Sequence, residues 1–327
     1  MTDVLLDVRN LSKRFVSDKI TVQAVSDLSF KIYEGETFGL VGESGSGKTT
    51  AGRCIARVID STDGEVLYKA EDSSKCDFLN ISKKDYKKLR REIQMIFQDP
   101  YASLDPRMTV YDIIGEPLMA NFKLTKKEYD DRIRRMAEKV GLNVSYLRRY
   151  PHAFSGGQRQ RIGIARALIT LPRLVVCDEA VSALDVSVQA QTINLLKELQ
   201  AEFGLTYIFI SHDLSVVEYI SDKIGVMYLG KLVEMAETNE LFNNTKHPYT
   251  QALLSAVPVP DPLNQTVRIP LDGEIPNPGN PPSGCHFHTR CNYCQDICKK
   301  EIPKLSEIAE NHFVACHRAE ELTLQIQ

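Results

Sequence analysis

The sequence of 327 residues predicts an α/β fold: a mixed-sheet core with helices packed on it, a helical subdomain, and a small irregular C-terminal extension rich in cysteine. Three observations carry this expectation. Short apolar runs alternate with helix-period segments through most of the chain, the pattern of strands and helices sharing one core. A glycine-rich turn joins one apolar run to a helical segment at Gly42–Thr49. Cys285, Cys291, Cys294, Cys298 and Cys316 crowd together behind a proline-rich stretch, whereas Cys54, Cys76 and Cys177 are scattered.

Taken in order, Val4–Val8 and Val22–Ile32 read as strands, and Thr37–Val41 as a short buried strand entering the glycine turn. Lys48–Ile59 then has helical spacing, and Ile93–Phe97 is strand-like until the Gln98-Asp99-Pro100 break. Residues 109–150 are helical in pattern, with Glu116-Pro117 as a kink or break. Leu174–Cys177 and Tyr207–Ile210 have the continuous apolar character of central parallel strands. Between them Ser187–Phe203 reads as a helix closed by Gly204. Pro258, Pro260, Pro262, Pro270, Pro276, Pro278, Pro281 and Pro282 then form an extended connector, which places a boundary near residue 255.

Apolar residues make up 43% of the chain and charged residues 25%, ordinary values for a globular protein. The formal net charge is −3 with no polybasic stretch, so nucleic acid is not an expected partner. No apolar run approaches the ~20 residues of a membrane-spanning helix. The N-terminus lacks a basic segment followed by an apolar one. The expected location is the cytosol, and work at a membrane would require docking onto a partner that spans it.

Gly42-Glu43-Ser44-Gly45-Ser46-Gly47-Lys48-Thr49 fits the phosphate-binding P-loop, with Thr50 beside it on the helix. Its glycines let successive backbone N–H groups turn toward phosphate oxygens, and the following helix adds its positive end. Lys48 would reach the outer phosphates, and the Thr49 hydroxyl would ligate Mg²⁺. The bland alternative, a glycine turn without ligand, is disfavoured by the strand before and the helix after. Leu174–Cys177 delivers Asp178 to hold Mg²⁺ and Glu179 to polarise the attacking water. Two acids ending a strand could merely cap a helix, but a P-loop upstream argues otherwise. Ser155-Gly156-Gly157-Gln158 opens a second helical run, Arg161–Ile169. One nucleotide does not need two phosphate-binding helix ends, so the second is expected to serve a nucleotide on a partner.

With these motifs in this order, residues 1–255 resemble the nucleotide-binding domain of ABC ATPases, with a helical subdomain at about 99–165. The resemblance makes Ser155–Gln158 the family signature and Ser182–Asp185 the D-loop. It makes Gln98 the glutamine that senses the γ-phosphate and joins Thr49 and Asp178 at Mg²⁺, and His212 the switch histidine. Phe15 takes the place of the aromatic that stacks on adenine. It also implies a head-to-tail dimer that sandwiches two ATP molecules. Lys48, Gln98, Glu179 and His212 are all present, so a hydrolytically complete site is expected.

His247–Leu254, Gly273–Pro276 and Asn280–Cys291 resemble the C-terminal extension of ATPases that drive oligopeptide and dipeptide importers. That resemblance implies two multi-span permease subunits, a second related ATPase forming a heterodimer, an extracytoplasmic peptide-binding protein, and a peripheral position on the cytoplasmic face of the membrane. Cys285, Cys291, Cys298 and Cys316 have the spacing C-x5-C-x6-C-x17-C. Related subunits with this pattern bind a [4Fe–4S] cluster, and soft thiolates suit that centre. Tetrahedral Zn²⁺ on the same four, free thiols packed as small hydrophobes, and Cys294 as an alternative ligand remain open. His286, His288, His312 and His317 lie close enough in sequence to substitute. Two other functions compete: a soluble ABC ATPase similar to the carbon–phosphorus lyase accessory proteins, and an importer of nickel or another small solute. The extension argues against the first. The absence of coiled-coil insertions and of a second cassette argues against DNA-repair and translation relatives.

Overall fold

A computed structural model describes residues 3–17, 20–257, 268–271 and 273–324. In chain order, β1 is Val4–Ser17, β2 Ile20–Tyr33, β3 Thr37–Val41, α1 Lys48–Ile55, β4 Asp63–Lys69, β5 Lys75–Asp77 and α2 Lys83–Leu89. Then follow β6 Ile93–Ile96, α3 Val110–Asn121, α4 Lys126–Lys139, α5 Gly156–Leu168, β7 Leu174–Asp178, α6 Val186–Phe203 and β8 Thr206–Ile210. The remainder is α7 Leu214–Ile220, β9 Lys223–Tyr228, β10 Lys231–Glu237, α8 Thr238–Asn243, α9 Pro248–Ser255, α10 Asp296–Lys300, β11 Ser306–Ala309 and β12 His312–Val314. Among the described residues, no helix is long and apolar enough to cross a membrane.

The chain divides into two compact units. The first holds Leu67–Ile210 with Ile32–Glu36 and the N-terminal residues through Leu6. Its centre is a parallel set in which β7 pairs with β6 on one side and β8 on the other, with Cys177 opposite Ile96 and Phe209. Every residue of β7 and β8 is buried, which is why these strands read as unbroken apolar runs rather than alternating ones. Helices α3, α4 and α5 pack on one another in this unit. Helix α3 passes through Pro117, where the sequence suggested a kink or break; the chain leaves the helix at Phe122 instead. Thr125 then starts α4 with a reciprocal capping box to Glu128, a stop-and-start signal stronger than one proline.

The second unit gathers Asp7–Lys31, Thr37–Val66 and the chain from Ser211 onward. Within it β3 runs parallel to β9, and β9 pairs antiparallel with β10. Helix α1 ends at Ile55, four residues earlier than its pattern suggests, because Arg57 takes a left-handed φ of 52° that no helix continues. No regular element lies between α9 and the 3₁₀ turn His288–Arg290 among the described residues, and Pro258, Pro260 and Pro262 fall outside those residues. The tail beyond is more regular than expected. β12 adds to β10 with Val314 opposite Glu234, and β11 returns alongside β12. Phe287, Val314, Leu322 and Leu324 are buried. Apolar packing and strand pairing therefore hold the tail to the second unit, where sequence alone suggested an irregular appendage.

Candidate nucleotide site and cysteine cavity

In the second unit the P-loop follows β3 directly. Gly42 has a φ of 146°, and a side chain there would sit 2.2 Å from the Met227 carbonyl; one at Gly47, with φ 102°, would sit 2.1 Å from the Ala24 carbonyl. These contacts, rather than flexibility, exclude any residue but glycine. Gly47 is the N-cap of α1, with no side chain to satisfy the first-turn N–H groups, and those donors are the ones a phosphate engages. Lys48 is buried, and its ammonium donates to the carbonyls of Gly42 (2.7 Å) and Glu43 (2.9 Å) and to Ser46 Oγ (3.3 Å). The lysine thus braces the loop from inside. Ser44 and Gly45 are exposed at its tip, and Thr49 and Thr50 are half-buried on the first turn of α1.

Phe15, on β1, is 46% exposed, a face available for stacking, with the Lys13 ammonium 5.1 Å from its ring centre. His212 is exposed between Ser211, whose N–H donates to the Leu40 carbonyl, and Asp213, which caps α7.

In the first unit β7 ends at Asp178, which is fully buried. The next residue, Glu179, has a φ of 46°, uncommon for a non-glycine residue, so its backbone is strained. Both of its backbone groups are held: its N–H donates to the Ile210 carbonyl, and its carbonyl accepts from the Ser182 N–H and hydroxyl. The exposed Gln98, beyond β6, donates from Nε2 to Glu179 Oε2 at 2.7 Å. Ser155 is the N-cap of α5, with Gln158 completing a capping box. Gly157 lies where a Cβ would come 2.5 Å from Val188 Cγ1, so the start of α6 packs against the signature turn.

The spacing C-x5-C-x6-C-x17-C groups four tail cysteines but says nothing of the direction in which each side chain points. Cys285, Cys291, Cys298 and Cys316 line one small cavity, together with His288 and His317. Gly284 makes this possible: at φ 67° its missing Cβ would sit 2.4 Å from the Cys298 carbonyl, which accepts the Cys285 N–H. Cys294 does not line the cavity. His286 lines a neighbouring cavity, and His312 is bound to Glu234 and Glu240, so neither of these stands in for a cysteine. Burial pushes the Cys285 thiol up to about 12 and that of Cys291 up to about 11, and raises Cys316 as well. Without a cation these groups are neutral thiols, and a soft metal would displace their protons. Among the described residues no three His, Cys, Asp or Glu side chains stand close enough to share one metal ion.

A strand–P-loop–helix, a strand ending in two acids, and a glycine-rich capped helix together define an ATP-hydrolysing cassette. Residues 25–182 match the family described as ABC transporter, and residues 233–298 match the oligopeptide/dipeptide transporter C-terminal region. The chain is 52% identical to the oligopeptide transport ATP-binding protein AppF of Bacillus subtilis (strain 168), over 96% of this chain and 97% of that one. It is 50% identical to the oligopeptide transport ATP-binding protein OppF of Haemophilus influenzae, over 96% and 94%. A dimeric post-hydrolysis structure of the ATP-binding cassette MJ0796, bound to ADP and Pi, superposes with a TM-score of 0.64 at 27% identity, over 71% of this chain and 98% of that one. The chain belongs to the ABC transporter ATPases, in the branch of oligopeptide transport ATP-binding proteins.

Proposed function

We propose that this ATPase is the motor subunit of an importer for oligopeptides or dipeptides, working peripherally at the cytoplasmic face of the membrane. One observation carries the reading. A chain whose hydrolytic residues are complete also bears, at residues 233–298, the C-terminal region described for oligopeptide and dipeptide transporters. The ATPase body alone is shared by transporters of many solutes.

Lys48 and the loop Gly42–Thr50, through N–H groups other than that of Glu43, which donates to Tyr249, would bind the ATP phosphates, and Phe15 would stack on adenine. Thr49, Asp178 and Gln98 would hold Mg²⁺, which supplies charge neutralisation at the phosphates. Glu179 would take a proton from the attacking water while His212 contacts the γ-phosphate. Ser155, Gly156, Gly157 and Gln158 would face the nucleotide of a partner ATPase in a head-to-tail heterodimer. Two permeases and an external peptide-binding protein would select the cargo.

The nucleotide-binding domain would span 1–255, with its helical subdomain at about 99–165, and the extension 256–327. Cys285, Cys291, Cys298 and Cys316 would hold a [4Fe–4S] cluster. The donor chemistry supports this reading, since four cysteine sulfurs line one cavity; among the described residues no three of them stand within reach of one ion, so they would have to draw together as the cluster binds. A multi-iron cluster also spreads its ligands more widely than a single zinc, whose thiolates each lie about 2.3 Å from the ion. Bound there, the cluster would supply a covalent staple between the turns carrying the four cysteines.

Tagged Glu179→Gln protein, recovered from native membranes with ATP and Mg²⁺, should bring with it two multi-span proteins and a second ATPase. Recovery of soluble enzymes alone would overturn the importer reading in favour of a soluble ABC ATPase.

A further inference from the structure

The 3₁₀ turn His288–Arg290 lies between two residues of the cysteine cavity, Phe287 and Cys291. The cavity faces one way; Arg290 does something else. Its guanidinium grips the Glu43 carboxylate with both arms, Nη1 to Oε2 at 2.7 Å and Nη2 to Oε1 at 3.1 Å. Glu43 is the second residue of the P-loop. Only 4% of the Arg290 side chain and 22% of the Glu43 side chain are exposed, so water screens the pair weakly.

The backbone of Glu43 is held from the same side. Its N–H donates to the Tyr249 hydroxyl at 2.8 Å, and Tyr249 is fully buried. Tyr249, Tyr228 and Phe287 form one aromatic cluster with ring centres 4.7–5.3 Å apart, and the Arg290 guanidinium lies 6.0 Å from the centre of Tyr228. The carbonyl of Glu43, in turn, accepts from the Lys48 ammonium at 2.9 Å. Side chain, N–H and carbonyl of one P-loop residue are therefore all engaged, and Arg290 and Phe287 come from the tail.

We propose that Arg290 is a positioning residue for ATP binding: from the tail it fixes the first turn of the P-loop and neutralises the one carboxylate that the loop places beside a polyanionic substrate. An uncompensated Glu43 would repel the phosphates that the loop's N–H groups attract. The tail is then part of the nucleotide site as well as a mark of transporter type. This inference rests on ATP binding, which the family establishes, and not on peptide import.

The test is the affinity of the full-length chain for ATP with Mg²⁺, by equilibrium dialysis, in a Glu179→Gln background that prevents turnover. Arg290→Ala should weaken binding about tenfold, the size expected for losing a charge-assisted pair. Arg290→Lys, a single-armed cation, should fall between. Adding Glu43→Gln to Arg290→Ala removes the orphaned charge and should restore affinity to within about threefold of the parent. A purely structural role for Arg290 would leave that double variant as weak as Arg290→Ala. That result, or unchanged affinity in Arg290→Ala, overturns the proposal. Thermal melts of each variant distinguish unfolding from lost affinity, and Arg290→Lys keeps the question open to measurement if Arg290→Ala does not fold.

Discussion

Gln98 donates a hydrogen bond from Nε2 to Glu179 Oε2 at 2.7 Å, joining the segment after β6 to the strained residue after β7. The parallel pairing of these strands, with Ile96 opposite Cys177, brings their C-terminal ends to the same level. The bond links the residue proposed to sense the γ-phosphate to the residue proposed as base. An amide that turns toward Mg²⁺ or phosphate would release the carboxylate for water.

Replacing Glu179 with Gln retains the acceptor oxygen for Gln98 but removes the basic carboxylate. ATP affinity should stay within a few-fold of the parent, while the turnover rate falls by about 10²–10⁴. Near-normal turnover, measured as phosphate release at saturating ATP, would remove Glu179 from the role of base.

Gln98→Ala leaves the Glu179 carboxylate without this donor. The expected signature is a lower kcat, by about tenfold, with a smaller change in the affinity for nucleotide alone. A variant that loses ADP binding as severely as turnover would show that Gln98 matters for the fold rather than for the chemistry.

Gly284→Ala should destabilise the tail, because a Cβ would meet the Cys298 carbonyl at 2.4 Å and the residue would keep a φ of 67°. A loss of about 1–3 kcal/mol is expected. Thermal unfolding with and without Mg²⁺-ATP reads it, and a parent-like melting temperature would contradict the packing described.

Cys291→Ser removes one of the four thiols that line the cavity. Protein purified anaerobically should carry iron and sulfide with broad visible absorption, and the variant should lose most of both. Colourless parent protein holding stoichiometric zinc would replace the iron–sulfur assignment, and parent protein free of metal would end it.

His247 is buried, its Nδ1 accepts the Tyr249 N–H, and burial lowers its pKa from 6.5 to about 4. Between these values the unfolded chain binds a proton that the folded chain refuses. The neutral ring therefore contributes its full stability above pH 6.5 and loses it as the pH falls toward 4. His312 has the opposite sign. Its burial alone would lower the pKa, but hydrogen bonds and charge from Glu234 and Glu240 outweigh that and raise it. Its contribution is present at low pH and fades as the pH rises above the ordinary histidine range. His247→Asn keeps an acceptor for Tyr249 and removes the titration, so it isolates the first effect. The parent should lose about 2 kcal/mol more than the variant when the pH drops by about 1.5 below the ordinary value. Parallel acid-side stability curves would contradict this.

Where one residue type at one spacing is required by local chemistry, the sequence was sufficient. Gly42–Thr49 announces itself because Gly42 and Gly47 stand at backbone angles and close carbonyls that only glycine tolerates, and Ser155–Gln158 because a serine and two glycines open a helical run. The apolar runs Leu174–Cys177 and Tyr207–Ile210 were legible as short buried strands, and the structure extends each by one residue, to Asp178 and to Thr206. The family and its ATPase chemistry follow from these positions alone. What only the tertiary structure decided are the contacts made across long separations in the chain. The union of Arg290 with Glu43 and the pairing of β12 with β10 leave no local signature. They depend on which way each side chain points once the chain has closed on itself, and neither spacing nor periodicity encodes that direction.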